Sequence, residues 1–194
     1  YIWGKVNYEK DFGMHHLDVA GIFSQGRKKY LKANNTYMFR DYMAHVSYNY
    51  DSRYLADVVF SYSGSGKLPT GDKYRIYPAV SVAWVASNEQ FMKRFSALDY
   101  LKLRASFGIT GNDSRLSYDM DKQFNGGGNS YIFVGTSSTY GLAQGGFPST
   151  GVEPEKEYKA NVGVELGLWK GFSMQVDAFY NRRKQIKGES SGIY

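Results

Sequence analysis

Apolar and polar residues alternate at every second position over eight stretches of this chain, most regularly between Tyr158 and Arg182. There Tyr158, Ala160, Val162, Val164, Leu166 and Leu168 share one phase, and Lys159, Asn161, Gly163, Glu165 and Gly167 the other. After the turn Trp169-Lys170-Gly171, Phe172, Met174, Val176, Ala178 and Tyr180 continue the apolar phase, opposite Ser173, Gln175, Asp177, Phe179 and Asn181. Period two puts successive side chains on opposite faces of a strand, so the segment predicts a β-hairpin with one apolar and one polar face. A soluble sandwich would alternate in the same way. The number of recurrences and the lengths between them carry the rest of the reading.

The same rule predicts strands over Tyr1–Glu9, Met14–Ser24, Met38–Tyr50, Tyr54–Tyr62, Lys73–Ala86 and Leu101–Thr110. Pro78 lacks a ladder donor and predicts a bulge or a strand mouth. Ser87-Asn88-Glu89-Gln90 reads as a capping box, and Phe91, Phe95 and Leu98 follow at helical spacing, which predicts a short amphipathic helix or an ordered turn. Connections alternate: Lys10–Gly13, Asp51–Arg53 and Trp169–Gly171 are short, Ser87–Tyr100 is intermediate, and Gln25–Tyr37, Ser63–Asp72 and Gly111–Glu157 are long. Outer-membrane barrels have this asymmetry, with short periplasmic turns and long external loops.

Charge placement agrees with that class. No Lys, Arg, Asp or Glu is expected on the apolar phase of these strands, where a mid-bilayer Arg or Lys would cost ~2–4 kcal/mol. With short turns periplasmic, Tyr1 and Tyr194 both fall on the outer side, whereas a self-contained barrel starts and ends in the periplasm. The fold class predicted is therefore all-β, a transmembrane antiparallel β-barrel segment of about eight strands from a larger barrel. Residues 1–194 are expected to form part of one barrel domain of a longer chain. The alternatives are a self-contained small outer-membrane barrel with a structural or adhesive role and a soluble β-sandwich binding module.

Composition sharpens this picture in three ways. Mean hydropathy is −0.48, yet aromatics reach 17%, with 18 Tyr and 12 Phe, a mixture suited to strands with interfacial aromatic girdles. No window approaches the roughly 18 apolar residues of a membrane helix, so a spanning element would be a tilted strand of about 9–11 residues. The absence of cysteine excludes disulfides and thiolate metal sites. The formal charge of +6 is scattered rather than striped, which argues against a nucleic-acid partner.

Several stretches resemble the SusC/RagA family of TonB-dependent outer-membrane transporters. Tyr77-Pro78-Ala79-Val80-Ser81-Val82-Ala83-Trp84 is similar to the family's Pro-Ser-Val-Ser-Ala-Gly-Trp strand, with Val82-Ala83 for Ala-Gly and Val85 where the family often has Arg. Glu89-Gln90-Phe91-Met92-Lys93 is similar to the turn after it, and Leu101 through Asn112 to its Leu-Lys-Leu-Arg-Ala-Ser-Tyr-Gly-x-Thr-Gly-Asn strand. Glu157, Asn161–Glu165 and Phe179–Arg183 resemble the next hairpin. The resemblance is firm from about Tyr77 to Lys184. It implies part of the C-terminal half of a 22-stranded barrel in the outer membrane of a Gram-negative, Bacteroidota-like bacterium. That barrel would be filled by a plug, energised by TonB through the plug, and capped by a SusD-like lipoprotein that delivers oligosaccharide or peptide. Plug and TonB box lie outside this sequence.

No Ser/His/acid constellation has a credible spacing, so no enzymatic activity is expected. His15 and His16 are adjacent on a strand and point to opposite faces, so they cannot chelate one ion. Gly64-Ser65-Gly66-Lys67 has Ser61 in place of a phosphate loop's first glycine and Leu68 in place of its hydroxyl, and reads as a flexible external loop. No cofactor is expected beyond calcium in an external loop, where Asp119 and Asp121 begin a calcium-loop pattern that Gln123 and Phe124 do not complete. Asn34-Asn35-Thr36 and Asn112-Asp113-Ser114 read as polar loop residues. Lys102, Arg104, Lys159, Asn161, Glu165, Gln175 and Asp177 are expected to face the lumen, pairing with each other or a plug or touching substrate. Tyr118, Phe124, Tyr131, Phe133, Tyr140 and Phe147, on the long 111–157 segment, are the candidates for substrate or partner contact, since loops of this length are usually functional or disordered.

Overall fold

A computed structural model describes residues 1–30, 35–68, 73–114, 124–132, 138–144 and 153–186. Eight strands make one antiparallel sheet: β1 (Ile2–Phe12), β2 (His15–Tyr30), β3 (Asn35–Tyr50), β4 (Tyr54–Ser65), β5 (Tyr74–Val85), β6 (Leu98–Asn112), β9 (Glu155–Leu168) and β10 (Phe172–Lys184), adjacent in that order. A separate hairpin, β7 (Phe124–Ile132) and β8 (Ser138–Gln144), lies in the long segment between β6 and β9. Among the described residues β1 pairs with β2 alone and β10 with β9 alone, so the sheet they form is open.

The register makes the alternation of the sequence into rows that cross the whole sheet. One row runs Tyr8, Val19, Val46, Val58, Val80, Phe107, Ala160, Tyr180. The neighbouring row on the other face runs Glu9, Asp18, Ser47, Asp57, Ser81, Ser106, Asn161, Phe179. Among the described residues nothing covers the apolar face. Val58, Val80 and Phe107 are 48%, 43% and 46% exposed at the centre of the sheet, and among the described residues the buried apolar set is Ala20, Leu68, Val85 and Ala86 with Pro154. The accessible surface is 14,325 Å², against about 9,300 Å² for a compact monomer of 22.0 kDa. A soluble sandwich would need a second layer over this face, and a self-contained eight-stranded barrel would need β1 to meet β10.

The apolar stripe crosses these rows obliquely. On the loop-side end its limit is marked by Arg27 on β2, Arg40 on β3, Lys156 on β9 and Arg182 on β10, which lie four, three, two and one rows above the central row. From Arg27 to Arg182 the limit falls three rows, or six residues, in six strand steps. A slide of one residue per strand, at ~3.3 Å per residue and ~4.8 Å between strands, corresponds to a tilt of about 35°. That is the strand tilt of outer-membrane barrels, 35–45°. Along β10 the stripe runs from Phe172 to Tyr180; nine residues at that tilt span roughly 22–24 Å, close to the ~25 Å apolar band of such barrels. Aromatic rings edge the stripe: Phe23, Tyr42, Tyr62 and Tyr74 neighbour one another on the loop side, with Tyr62 and Tyr74 stacked at 4.8 Å, and Tyr50 lies against Tyr54 on the turn side.

Several sequence expectations need correction. β2 and β3 extend in register to Tyr30 and Asn35, so the long loop expected over Gln25–Tyr37 is mostly strand. β4 likewise runs to Ser65, β6 from Leu98 to Asn112 and β10 to Lys184. At the loop end these added lengths are mostly polar on both faces, and cross-strand backbone bonds carry the ladder on without an apolar face to announce it. They bring charge onto the apolar phase at strand ends, as do Arg40 and Arg182 inside the expected strands, so the ban on charge holds for the middle of the stripe only. Of the amphipathic helix or ordered turn expected after β5, the structure has the second, as two single 3₁₀ turns, Ala86–Asn88 and Met92–Arg94. Their start carries no side-chain cap, since the first turn begins at Ala86 with Val85 before it, and Glu89 in the same stretch accepts from Tyr54, Arg53 and Trp84. Pro78 makes no bulge with β4, where it faces Phe60. It does mark a mouth: β5–β6 pairing begins beside it, at Ala79 and Gly108.

Candidate ligand pocket and polar face

The polar residues expected to face a lumen share one face of β6, β9 and β10. The Arg104 Nη2 donates to both carboxylate oxygens of Asp177 at 2.8 Å, although β9 lies between their strands. Gly163 is the register partner of both, and a Cβ there would stand 2.5 Å from Asp177 Oδ1 and 2.6 Å from Arg104 Nε. Arg104 Nε and Lys102 Nζ lie 3.5 and 3.9 Å from Glu165 Oε1, and Gln175 Nε2 donates to Asp177 at 2.9 Å. Five of the seven residues thus form one cluster. Asn161 and Lys159 stand apart from it: Asn161 lies between Ser106 and Phe179 in register, and Lys159 pairs with Glu157 at 3.3 Å, nearer the loop end.

A pocket missed by sequence reasoning opens at the loop end of this face, where β5 and β6 part beyond Pro78. The Tyr77 ring fills the space over Gly111, which has no room for a side chain. The cavity has a volume of about 470 Å³, and Tyr37, Asp41, Lys67, Arg75, Tyr77 and Asp113 contribute its charged and phenolic walls. Asp113 organises it: its carboxylate accepts Tyr37 Oη at 2.7 Å and Ser65 Oγ at 2.6 Å, and its main-chain oxygen accepts Lys67 Nζ at 3.0 Å. Lys67 also sits 5.0 Å over the Tyr37 ring. The Gly64–Lys67 stretch is therefore docked, since Gly66 N–H also donates to Met38 O at 2.7 Å and Leu68 is buried. No sequence signal joins Tyr37, Ser65 and Asp113, because they meet only through sheet register. A wall of both charge signs and several phenols can hold hydroxyl-rich or zwitterionic solutes.

The remaining candidates fall differently. Tyr118, Phe133 and Phe147, with Asp119 and Asp121, lie outside the described residues. Phe124, Tyr131 and Tyr140 belong to the β7–β8 hairpin, where Phe124 pairs with Gln144, Tyr131 with Thr139 and Tyr140 with Ser130. His15 and His16 take separate partners, Tyr48 Oη and Asp11, each at 2.6 Å. Among the described residues no three His, Cys, Asp or Glu side chains gather as a metal site. Glu89, in the turn after β5, is held below the ordinary carboxylate value by the hydrogen bond from Tyr54, with Trp84 and Arg53 adding to it against partial burial.

No family model matches the sequence. The chain is 23% identical to TonB-dependent receptor P3 of Formosa agariphila over 193 residues, covering 84% of this chain and 19% of the receptor. It is 29% identical to TonB-dependent receptor P39 of the same organism, covering 70% of this chain and 12% of that one. TonB-dependent receptor SusC of Bacteroides thetaiotaomicron is 29% identical over 73 residues, 38% of this chain and 7% of SusC. Among solved structures, a chain of the RagAB peptide importer in its closed-closed state superposes with a TM-score of 0.78 at 16% identity, covering 93% of this chain and 23% of that one. The chain thus resembles SusC/RagA-type TonB-dependent receptors in sequence and has the fold of one stretch of such a barrel. It spans about a fifth or less of the length of the curated relatives it matches.

Proposed function

We propose that this chain is a wall segment of an outer-membrane, TonB-dependent importer of the SusC kind, working with a SusD-like surface lipoprotein to take up oligosaccharide or peptide. The observation that carries the reading is the oblique apolar stripe, whose one-residue slide per strand fits tilted strands crossing a bilayer. In this reading the short turns face the periplasm, the 111–157 segment and the pocket around Asp113 face outward, and the Arg104–Asp177 cluster lines a hydrated lumen. TonB acts on a plug supplied by another part of the protein, and the wall supplies passage and contacts. Import makes and breaks no covalent bond in the solute and needs no cofactor of the wall. Peptide as the solute is supported by the peptide importer whose chain shares this fold, and oligosaccharide by the family resemblance of the sequence.

The test is uptake by cells carrying the full-length protein. Accumulation of a labelled oligosaccharide or peptide mixture that stops on loss of TonB, and equally on loss of the adjacent lipoprotein, supports the reading. Uptake indifferent to TonB, or a protein recovered in the soluble fraction, contradicts it.

A further inference from the structure

The two faces of the sheet carry charge differently at the loop-side end. On the apolar phase, beyond the aromatic rings, stand Arg27, Lys29 and Arg40 at one side and Lys156, Arg182 and Lys184 at the other. Among the described residues no Asp or Glu occupies that phase at that end, whereas the opposite phase mixes Asp41, Glu155 and Glu157 with Lys28, Arg75 and Arg183. Arg27 and Arg40 are diagonal neighbours on paired strands, because Arg27 faces Met38 and Arg40 faces Gln25. Lys156 and Lys184 face each other directly, with Arg182 diagonal to Lys156. Like charges placed this way repel, and among the described residues Glu153 is the carboxylate that meets one of the six. Lys156 pairs with Glu153 at 3.1 Å, Arg40 donates to the neutral Gln25 at 2.8 Å, and Lys184 lies 5.2 Å over the Tyr158 ring. Arg27, Arg40, Lys156 and Arg182 also define the 35° line, which puts them at one height on a tilted barrel.

We infer that these residues form an outward-facing belt that binds the phosphate groups of lipid headgroups in the outer half of the membrane. The inference rests on the reading above that the apolar stripe faces lipid. Hydrocarbon, then aromatic rings, then a row of cations matches, step for step, what a lipid presents: acyl chain, interface, anionic headgroup. Guanidinium groups supply paired donors for phosphate oxygens, and ammonium groups a mobile charge. A bridging phosphate would turn each repelling cluster into an attractive one. A second protein docked here would bury the apolar stripe as well, which the lipid already covers.

The experiment uses the full-length protein in detergent, with native mass spectrometry against phosphorylated lipid A and the same lipid dephosphorylated. The protein is expected to retain the phosphorylated form about tenfold more. The combined variant Arg27→Gln, Lys29→Gln, Arg40→Gln, Arg182→Gln and Lys184→Gln should bring the two forms within about twofold. An unchanged ratio in the variant overturns the belt, and displacement of the lipid by millimolar inorganic phosphate reduces it to a site for soluble anions. A bimane label at Val80→Cys, read with brominated acyl chains, tests the underlying face separately. Quenching in protein and variant alike shows that the stripe meets lipid and the variant is folded, while no quenching in either removes the lipid-facing reading itself.

Discussion

Arg104 and Asp177 sit on strands that do not touch, and their side chains meet over Gly163, the residue between them in register. The glycine is what lets the bridge cross β9 flat against the backbone. Gly163→Val should therefore destabilise the protein by about 1–3 kcal/mol through forced displacement of both side chains. Asp177→Asn, which weakens a pair that is about a third exposed, should cost under ~1 kcal/mol. Urea unfolding of the full-length protein in detergent compares the two, and equal costs would contradict the steric account.

The short turn after β3 stores strain. Asp51 and Ser52 have φ of 51° and 52°, a left-handed backbone that disfavours side chains. Ser52→Gly keeps both main-chain bonds of that residue, to Asn49 and from Asn88, and should stabilise by about 1 kcal/mol. Thermal unfolding monitored by loss of heat-modifiable migration checks this, and a lower midpoint would refute it.

The turn after β5 should loosen in acid. Glu89 titrates below its ordinary value of 4.5 because its charged form accepts the Tyr54 hydroxyl. A depressed carboxylate contributes stability that is fully present above the unfolded value and is lost as pH falls through the folded one. Hydrogen exchange at residues 86–95 should accelerate relative to the central strands as pH drops from 6 to 3. Glu89→Gln should remove most of that difference.

Charge should be tolerated on one phase of a strand and not on the other. Val58→Arg places a cation in the central apolar row and should cost ~2–4 kcal/mol and lower assembly into the membrane. Ser61→Arg, on the opposite phase of the same strand, should assemble at near the parent level. Quantifying folded protein in isolated membranes decides it.

How much of this was legible in the sequence depends on whether a feature is local. The phase of all eight strands in the main sheet follows from alternation, and so does the sharing of one face by Lys102, Arg104, Glu165, Gln175 and Asp177, since period two fixes faces before any pairing is known. Strand ends were not legible: Arg27–Tyr30 and Asn35–Tyr37 look like a loop because neither face needs burial, and only the partner strand makes them β. The β7–β8 hairpin was hidden in Gly- and Ser-rich sequence such as Gly126–Asn129, which has no apolar period. Ser87–Gln90 misled in the other direction: the pattern marks Ser87 as a cap, but the ordered turn starts one residue earlier, at Ala86, and leaves Ser87 inside it. The Asp113 pocket depends on parting strands and on residues up to 76 positions apart, which no local pattern encodes.

The measurement that bears most directly on the account is a cysteine scan along β6, positions 101–110, in the full-length protein, each site labelled with bimane and exposed to brominated acyl chains. Strong quenching at Leu101, Leu103, Ala105, Phe107 and Ile109, and weak quenching at Lys102, Arg104, Ser106, Gly108 and Thr110, is the result expected of a strand that crosses the bilayer with this register. Quenching without alternation, or none at any position, would contradict it.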